Sequence, residues 1–550
     1  MTPLKRFINL LKLDRRDISQ IILYAIFSGI LALSLPLGIQ AIINFIQAGN
    51  ISVSWVVLVF LVILGVALVG ILSLMQMRIT ENLQQKLFVR SAFEFSYRLP
   101  SIKFEELYKN HPPEIANKFF DTLTIQKGTS KLLVDFSASL LQVLFALVLL
   151  SLYHPFFIIF GLLLLGLLYA IFAYAYKPGL ETSLKESKYK YKVVSWLQEI
   201  AKNYWVFKNQ NHFMFALSKN DALVSEYLNY REKHFKIIKS QYIKLIVFKI
   251  IITASLLIIG GLLVINQQMN IGQFVAAEIG ILMVIASVEK IILGLETFYD
   301  VLTSVEKIGQ VTDLPVEVVT TSNENFCYSN INLSIENISY KFPDSAKNAL
   351  KNISFIINQG EKIILNGENG SGKSTLIRLL AGIISPNIGA FYINDDTFKK
   401  IDLNLYRKHI GIVLQNETPF EGTILENITF GKPYSDEDLK WVLDTVQLTD
   451  FIKTLPENLN TQIMSTGLLL SASNMQKIVL AKSLISKPKI LFLEDPTDKL
   501  DSISAQNIIT TIMNNKNQTV VVSSKNDFWK KYAQRQITLN SGKISNDIKL

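Results

Sequence analysis

Three long stretches of this chain contain no aspartate, glutamate, lysine or arginine: Ile18 to Met77, Phe136 to Tyr176 and Ile250 to Ala277. A bilayer core of about 30 Å needs about 20 helical residues for each crossing. The first two stretches are therefore long enough for two crossings each, and the third for one crossing and the start of another. Turn formers and polar residues interrupt them at QAGNISV, YHP and QQMNIG. The sequence predicts six membrane spans in three hairpins, near residues 18–46, 54–77, 133–153, 155–176, 243–266 and 272–293.

The positions of the charged residues predict how these spans are oriented. Only 18% of the 550 residues are charged, against about 25% in soluble chains, which argues against a purely soluble multidomain enzyme. The first 330 residues hold most of the net charge of +10, and their charged residues lie in the amino-terminal tail, at 78–131, at 177–239 and after the sixth span, with none in the three turns. By the positive-inside bias these segments and both termini are cytoplasmic, and the uncharged turns are outside. The basic charge thus indicates topology in the cytoplasmic membrane beside anionic lipids, and not nucleic-acid binding.

The amino terminus and the cysteine count exclude two further classes of protein. The apolar run after Arg16 is far longer than the core of a cleaved signal peptide. The single cysteine, Cys327, cannot close an intramolecular disulfide, which excludes a small disulfide-stapled secreted protein. Residues 1–16 include the amphipathic segment PLKRFINLLKLDR, which is either a helix on the inner membrane interface or a helical extension of the first span.

The chain is predicted to divide into a membrane domain and a soluble domain. The membrane domain covers residues 17–313, and helical periodicity in its two long cytoplasmic segments predicts that the spans continue as helices beyond the membrane. Residues 314–330 are polar, contain Pro315 and lack a helical period, so we expect a linker there. Residues 331–550 have the pattern of a soluble α/β domain.

A phosphate-binding motif lies between residues 361 and 374. The apolar strand EKIILN precedes GENGSGKS and the apolar helix TLIRLLAGII, which is GxxxxGK[ST] in its strand–loop–helix context. Glycines allow backbone N–H groups to surround phosphate oxygens, while the lysine reaches the terminal phosphates of ATP and the serine ligates Mg²⁺. A simple glycine-rich turn is the weaker alternative. The predicted binding residues are Gly367, Asn369, Gly370, Ser371, Gly372, Lys373, Ser374 and Thr375.

A second buried-strand pattern ends in two carboxylates. KILFL at 489–493 is followed by Glu494 and Asp495. In P-loop NTPases the end of this strand carries an acid that holds Mg²⁺ and, beside it, a residue that orients the attacking water. We therefore expect Glu494 on the Mg²⁺ side and Asp495 on the water side.

These motifs resemble the ATP-binding cassette, and with six spans in front the whole chain resembles a type I ABC exporter half-transporter. The resemblance implies an all-α six-helix transmembrane domain followed by an α/β P-loop NTPase domain. It implies that Gln415 contacts Mg²⁺ and water and that Asp501 belongs to the D-loop. Phe342 falls where the family stacks an aromatic ring on adenine, although core packing explains one aromatic equally well. VSWLQEIAKNYWVFK, at 194–208, is similar to a coupling-helix segment.

Three departures from the family pattern concern hydrolysis. The LSGGQ signature aligns with Leu470 to Asn474 (LSASN), which keeps Ser471 but loses the glycines that allow close backbone approach to the partner's γ-phosphate. The usual Asp-Glu order is reversed, so the water-side acid is short by about 1.5 Å, and a misplacement of about 1 Å can cost a hundredfold. Lys525 stands at the switch-histidine position and, while charged, has no lone pair. We expect nucleotide binding with slow hydrolysis.

Two functions of different class fit these observations. The first is an exporter subunit that uses ATP binding and slow hydrolysis to move a substrate across the cytoplasmic membrane, as a homodimer or with a second half-transporter. The second is a membrane regulator or secretion-platform subunit that binds ATP without turnover. A soluble DNA-repair cassette ATPase is excluded because six spans replace any DNA-binding insert.

Expectations about substrate and accessory partners rest on a few segments. Glu278, about two turns into the sixth span, is either a substrate or proton contact or a carboxylate solvated in a dimer cavity. The adjacent Glu289 and Lys290 favour structural ion pairing. FFDTLTIQKG and EKIGQVTDLP resemble the hemolysin and bacteriocin secretion branch, which implies a periplasmic adaptor and an outer-membrane channel. About 16 residues precede the first span, so we expect no leader-peptide cleavage by this chain.

Overall fold

The computed structural model describes residues 1–47, 53–208, 210–317, 330–394, 396–464 and 470–550. The centre of the first predicted turn and most of the predicted linker, including Cys327, lie outside these ranges. The described chain forms two compact units. One consists of residues 1–101 and 110–314, and the other of residues 102–109 and 315–550.

The regular structure in the described part of the first unit is helical. Among its described residues, six helical segments are long and apolar enough to cross a membrane: 15–47, 53–101, 112–153, 156–202, 212–265 and 271–312. The predicted fold class, with six membrane helices ahead of an α/β domain, is therefore confirmed. Its helices are α1 (Pro3–Leu13), α2 (Arg15–Ala32), α3 (Ser34–Gln47), α4 (Val53–Ser101), α6 (Pro112–Asn117), α7 (Asp121–Lys131), α8 (Ser137–Tyr153), α9 (Phe156–Lys202), α10 (Tyr204–Phe207), α11 (Gln210–Ser255), α12 (Gly261–Ile265) and α13 (Ile271–Thr312); α5 (Phe104–Lys109) belongs to the second unit.

Local sequence explains where several of these helices begin and end. The first span is divided at Leu33 because Pro36 has no N–H to donate to the carbonyl four residues earlier. The last helix begins with a capping box, in which the Asn270 side chain accepts the Gln273 N–H at 2.7 Å and the Gln273 side chain accepts the Asn270 N–H at 3.0 Å. As expected, α4, α9 and α11 extend well beyond the charge-free stretches.

Apolar side chains of α8, α9, α11 and α13 form the core of the membrane unit. This cluster contains, among others, Val143, Leu150, Phe157, Leu164, Leu245, Phe248, Val284 and Val288. Close approach of α9 and α13 requires glycine at Gly179, because an added Cβ would lie 2.4 Å from the ring of Tyr299. Small residues therefore allow two of the longest helices to pack.

Several polar side chains of the helical segments that could cross a membrane are paired with each other, which offsets the cost of removing them from water. The Tyr153 hydroxyl donates to the side chain of Gln40 at 2.6 Å, and the Lys249 ammonium lies 2.7 Å from the Glu289 carboxylate. Glu289 thus forms an ion pair, but with Lys249 and not with the neighbouring Lys290. Successive helical residues point about 100° apart, whereas Lys249 on α11 faces Glu289 on α13.

The amino-terminal helix is attached to the end of the last helix of the same unit. The Arg6 guanidinium lies 3.1 Å from the Glu306 carboxylate and 2.5 Å from the Asp313 carboxylate. Its side chain crosses α13 at Gly309, where an added Cβ would lie 2.6 Å from the guanidinium. The amphipathic segment is therefore a helix fixed by charge at its polar side and by Phe7 in the core.

The described part of the second unit is an α/β domain with three sheets. Its strands are β1 (Leu333–Tyr340), β2 (Leu350–Ile357), β3 (Lys362–Asn366), β4 (Ile388–Ile393), β5 (Asp396–Thr397), β6 (Ile410–Val413), β7 (Gly422–Thr423), β8 (Gln462–Ile463), β9 (Ile490–Glu494), β10 (Thr519–Ser523), β11 (Arg535–Asn540) and β12 (Lys543–Lys549). Its remaining helices are α14 (Lys373–Leu380), α15 (Leu403–Arg407), α16 (Ile424–Thr429), α17 (Asp436–Thr445), α18 (Thr449–Lys453), α19 (Ala472–Leu484), α20 (Ser502–Met513) and α21 (Phe528–Tyr532). The central sheet has the order β12-β11-β3-β10-β9-β6, and β2-β1-β4-β5 and β7-β8 form the other two.

A short segment between two membrane helices packs within the second unit. Ile102 forms a β-bridge with Val316, and the Lys103 N–H donates to the Pro315 carbonyl at 3.1 Å. On α5, the Phe104 ring packs against the core of the α/β domain. The sequence analysis did not separate residues 102–109 from the membrane domain, because nothing in FEELYK distinguishes it from other amphipathic helical turns.

We expect Arg6→Ala to release α1 from α13. Hydrogen bonds to charged groups contribute about 1.5–3 kcal/mol each when buried, and less when partly exposed as here, so amide exchange across residues 3–13 should accelerate roughly tenfold. The matched control is Lys5→Ala, which removes an exposed cation of the same helix. Hydrogen–deuterium exchange of the purified full chain measures the effect, and equal exchange in both variants would show that the Arg6 ion pairs do not hold α1.

Candidate functional site

The sheet order of the second unit brings the predicted motifs to one edge. Strands β3, β10, β9 and β6 are neighbours and run parallel. In the register of these strands, Ser523 pairs with Leu365 on one side and with Glu494 on the other. Because the carboxyl ends of parallel strands meet at the same edge, the segments following them, at 367–374, 495–501, 524–526 and 415–417, are neighbours.

The phosphate-binding loop has the backbone geometry that its glycines predict. Gly367 and Gly372 have φ of 139° and 107°, and an added Cβ would lie 2.2 Å and 2.8 Å from the carbonyl oxygens of Leu539 and Ala349. The loop leads into α14, whose first N–H groups have no partners within the helix. The Ser371 hydroxyl is buried and, among the described residues, has no hydrogen-bond partner. A buried hydroxyl beside free N–H groups fits a phosphate oxygen.

Lys373, the lysine of this loop, lies among the charges of the neighbouring strand ends. Its ammonium donates to the carbonyls of Gly367 at 2.7 Å and Glu368 at 2.8 Å. Burial lowers the pKa of Lys373, Asp495 and Glu494 raise it, and Lys525 lowers it further. The structure thus brings together the loop lysine, both predicted acids and the lysine at the switch position.

The two acids have different surroundings. Glu494 is 2% exposed, and its carboxylate accepts the Gln415 N–H at 3.2 Å. Asp495 follows with φ of 44° and donates its own N–H to the Ser523 carbonyl at 2.8 Å. Burial raises the pKa of Asp495, as do the carboxylates of Asp498 and Glu494, while Lys525 lowers it. Glu494 is therefore held in place by the backbone of Gln415, and Asp495 lies beside two further carboxylates at the strand end.

The predicted signature residues form the first turn of α19. Ser471 is the N-cap, and its hydroxyl accepts the Asn474 N–H at 3.1 Å. Ala472 and Ser473 follow as the first helical residues. The side chains that replace the two glycines therefore project from the turn that would meet a partner's nucleotide.

The other predicted residues lie in different local environments. Lys525 is exposed after β10, and its backbone N–H hydrogen-bonds the Asp495 carboxylate. Asp501 is the N-cap of α20, where its side chain accepts the Ser504 N–H at 2.9 Å. Phe342 is packed against aromatic rings, with the Tyr108 ring 5.0 Å away at an interplanar angle of 31° and the Tyr340 ring 5.1 Å away at 85°. Glu278 lies in α13 of the membrane unit and is partly buried.

Mg²⁺ would find oxygen ligands at the same edge. Ser374 supplies a hydroxyl, Gln415 an amide oxygen and Glu494 a carboxylate, the donor types that Mg²⁺ prefers. Among the described residues, no group of three or more histidine, cysteine, aspartate or glutamate side chains could hold a metal ion. The residues therefore suit an ion that takes much of its coordination from phosphates and water.

A glutamine that was not among the predicted site residues ties helix α19 to the loop that follows β9. The Gln476 side chain donates to the Asp495 carbonyl at 2.9 Å and to the Asp498 carboxylate at 2.6 Å, and it accepts the Lys499 N–H at 2.8 Å. Gln476 is 9% exposed, and the neighbouring Lys477 and the apolar run IVLA follow it in α19. The sequence around Gln476 is mixed in polarity and gave no clear signal.

Comparison with known proteins places both units in one family. Residues 18–288 match the family described as ABC transporter transmembrane region, and residues 350–498 match ABC transporter. The chain is 32% identical over 295 residues to the alpha-hemolysin translocation ATP-binding protein HlyB of Escherichia coli O157:H7, covering 52% of this chain and 41% of that protein. It is 34% identical over 184 residues to the mitochondrial iron-sulfur clusters transporter ATM1 of Saccharomyces cerevisiae, covering 33% and 26%. The chain thus spans less than half the length of these relatives.

A solved structure shares the fold of the whole chain. The structure of a bacterial Atm1-family ABC exporter with ATP bound superimposes with a TM-score of 0.83 at 17% identity, covering 97% of this chain and 95% of that one. At this identity the likeness is one of fold. It extends over both units.

The phosphate-binding loop predicts different effects for two glycine substitutions. Gly367→Ala places a Cβ against the Leu539 carbonyl, whereas at Gly370 no atom lies within 4 Å of the added Cβ. Both positions have positive φ, which is unfavourable for alanine, and Gly367→Ala adds the contact with the Leu539 carbonyl to that cost. We expect Gly367→Ala to weaken binding of a fluorescent ATP analogue to the full chain at least about tenfold more than Gly370→Ala. Equal losses would mean that this contact does not shape the loop.

Proposed function

The chain belongs to the ABC transporter family, and from this premise we propose that it is the ATP-binding subunit of an exporter that moves a substrate across the cytoplasmic membrane. The observation that carries the proposal is the shared sheet edge, where Lys373, Glu494, Asp495 and Lys525 act on one another electrostatically. ATP places its phosphates in the loop 367–374, against the buried Ser371 hydroxyl and the start of α14.

In this proposal Ser374, Gln415 and Glu494 hold Mg²⁺, and Asp495 orients water. Bound Mg²⁺ neutralises charge on the phosphates. The hydrogen bond from the Gln415 N–H to the Glu494 carboxylate supports a common role for these two residues. Phe342 is the proposed contact for adenine, with Tyr108 packed against its ring.

Hydrolysis is slow in this account, for three reasons that act on different atoms. The Asp495 carboxylate is one methylene shorter than glutamate, so water lies too far from it or from the γ-phosphate. The Lys525 ammonium donates and cannot accept a hydrogen bond. Ala472 and Ser473 project side chains from the first turn of α19, which hinders closure of Ser471 on the partner's nucleotide. Asp501, which caps α20, is the proposed D-loop contact across the same interface.

The assembly proposed for export is a homodimer or a heterodimer with a second half-transporter. Both termini and the α/β domain face the cytoplasm, a topology supported by the distribution of lysine and arginine. The resemblance of FFDTLTIQKG and EKIGQVTDLP to the hemolysin and bacteriocin secretion branch supports an adaptor and an outer-membrane channel as accessory partners. The names of the relatives refer to different cargoes, a hemolysin and iron-sulfur clusters. The proposal therefore names export without a substrate class, and Glu278 is the proposed substrate contact.

A second candidate function is an ATP-binding regulator or secretion-platform subunit without turnover. The reversed order of Glu494 and Asp495 supports this function, as does Lys525 in place of histidine. These changes affect hydrolysis, and they leave the phosphate-binding loop intact. Steady-state hydrolysis distinguishes the two functions.

We expect the purified full chain to hydrolyse ATP slowly, well below the roughly 10 per second of a typical enzyme. The Lys373→Ala variant is the control, because it removes the ammonium from the phosphate loop and should abolish the activity. Phosphate release measured in detergent or nanodiscs gives the rate. Wild-type release equal to that of Lys373→Ala would favour the regulator, and release as fast as that of typical enzymes would contradict weakened sites.

Exchanging the two acids should raise hydrolysis. The double variant Glu494→Asp with Asp495→Glu moves the water-side carboxylate outward by about 1.5 Å, and recovery of the correct position should increase kcat about tenfold or more. Single substitutions serve as controls, since each leaves one acid misplaced. An unchanged kcat in the double variant would show that the signature turn or Lys525 limits the rate.

A further inference from the structure

Helix α19 carries an ion pair to the loop that follows β6. The Lys482 ammonium contacts the Glu417 carboxylate directly. The other oxygen of that carboxylate accepts the Leu414 N–H at 3.3 Å, and the Glu417 N–H donates to the Leu414 carbonyl at 3.2 Å. Glu417 therefore closes its own loop around Gln415 and anchors it to the helix.

The same helix holds the loop that follows β9. Gln476, about one and a half turns before Lys482, donates to the Asp495 carbonyl and to the Asp498 carboxylate. Its side chain also accepts the Lys499 N–H. One helix thus binds the two loops that supply Gln415 and Asp495.

Together with the backbone of β9 and α19, these contacts form a closed ring of interactions around the two loops. The Gln415 N–H donates to the Glu494 carboxylate, which joins the two loops directly. Glu494 is followed in the chain by Asp495, whose carbonyl is bound by Gln476 of α19. Farther along the same helix, Lys482 contacts Glu417, which lies two residues after Gln415. In such a ring each loop is held both by α19 and by the other loop. Displacement of one loop therefore requires breaking a contact to the other.

We propose that Glu417 and Lys482 are a positioning pair for ATP hydrolysis, which holds Gln415 against Glu494 and ties both to the helix that begins at Ser471. Neither side chain is assigned to nucleotide or metal. This inference rests on the proposed function, since it concerns the same reaction.

The surroundings of the pair make it sensitive to loss of either partner. The Lys482 and Glu417 side chains are only 22% and 29% exposed. Burial lowers the pKa of Lys482 to about 8, which reflects an ammonium removed from water. Removing one member of a partly buried pair leaves the other charge without compensation, so the loop should shift to expose it. A shift of the Gln415 loop changes the reaction more than the binding of ATP, which depends on the loop 367–374.

The test is the ATPase activity of full-length variants. We expect Lys482→Met and Glu417→Gln each to lower kcat about tenfold while KM for ATP changes less than about twofold. Lys482→Arg keeps the charge and should retain most of the wild-type kcat. Lys453→Met removes a lysine whose side chain is 70% exposed in an i,i+3 pair and should leave kcat unchanged.

Amide exchange provides a readout that needs no turnover. The Leu414 N–H is bonded to Glu417, so exchange at residues 414–417 should accelerate in Glu417→Gln and Lys482→Met and stay slow in Lys482→Arg. If the wild-type protein does not hydrolyse ATP but the variants show this exchange pattern, the proposed function is overturned, whereas the contact between the loop and the helix is supported. Unchanged exchange, or a kcat that is normal in both single variants, would overturn the positioning pair. A parallel loss of ATP binding in those variants would indicate a merely structural role.

Discussion

The register of the three parallel strands β3, β10 and β9 determines which loops meet at the site. Ser523 of β10 lies between Leu365 of β3 and Glu494 of β9, so the phosphate loop, the acids and the switch lysine leave the sheet at the same level. A slip of one residue in a strand turns its side chains to the opposite face. Such a slip at β9 would place Glu494 outside the reach of the Gln415 N–H and leave a carboxylate in the core.

Within this frame, the groups proposed to bind phosphate and those proposed to activate water follow different strands of the same sheet. The loop 367–374 depends on glycine geometry and on the start of α14, both of which are local to β3. In the proposed mechanism, water activation depends on Asp495, whose surroundings combine burial with two further carboxylates, and on Lys525, which follows β10. Changes in the second set can therefore slow the reaction without weakening the first. The signature turn adds a further change, since Ser471 caps its own helix beside two added side chains.

The features predicted from sequence are those encoded by neighbouring residues. Charge-free stretches gave six spans because hydrocarbon tolerates few charges, and GENGSGKS gave the phosphate loop because its glycines require a particular backbone. Side-chain partners distant in sequence had no such signal: Glu289 pairs with Lys249 on another helix, and Lys482 meets Glu417 only because α19 packs beside β6. The docking of residues 102–109 within the second unit was missed for the same reason.

A single-turnover experiment tests the central claim, that this chain binds ATP firmly and hydrolyses it slowly. Full-length protein in excess is mixed with radiolabelled ATP and Mg²⁺, and bound nucleotide is recovered over time and separated into ATP and ADP. The account predicts that most bound nucleotide is still ATP after many seconds. Conversion to ADP within the first second, or failure to retain nucleotide at all, would contradict it.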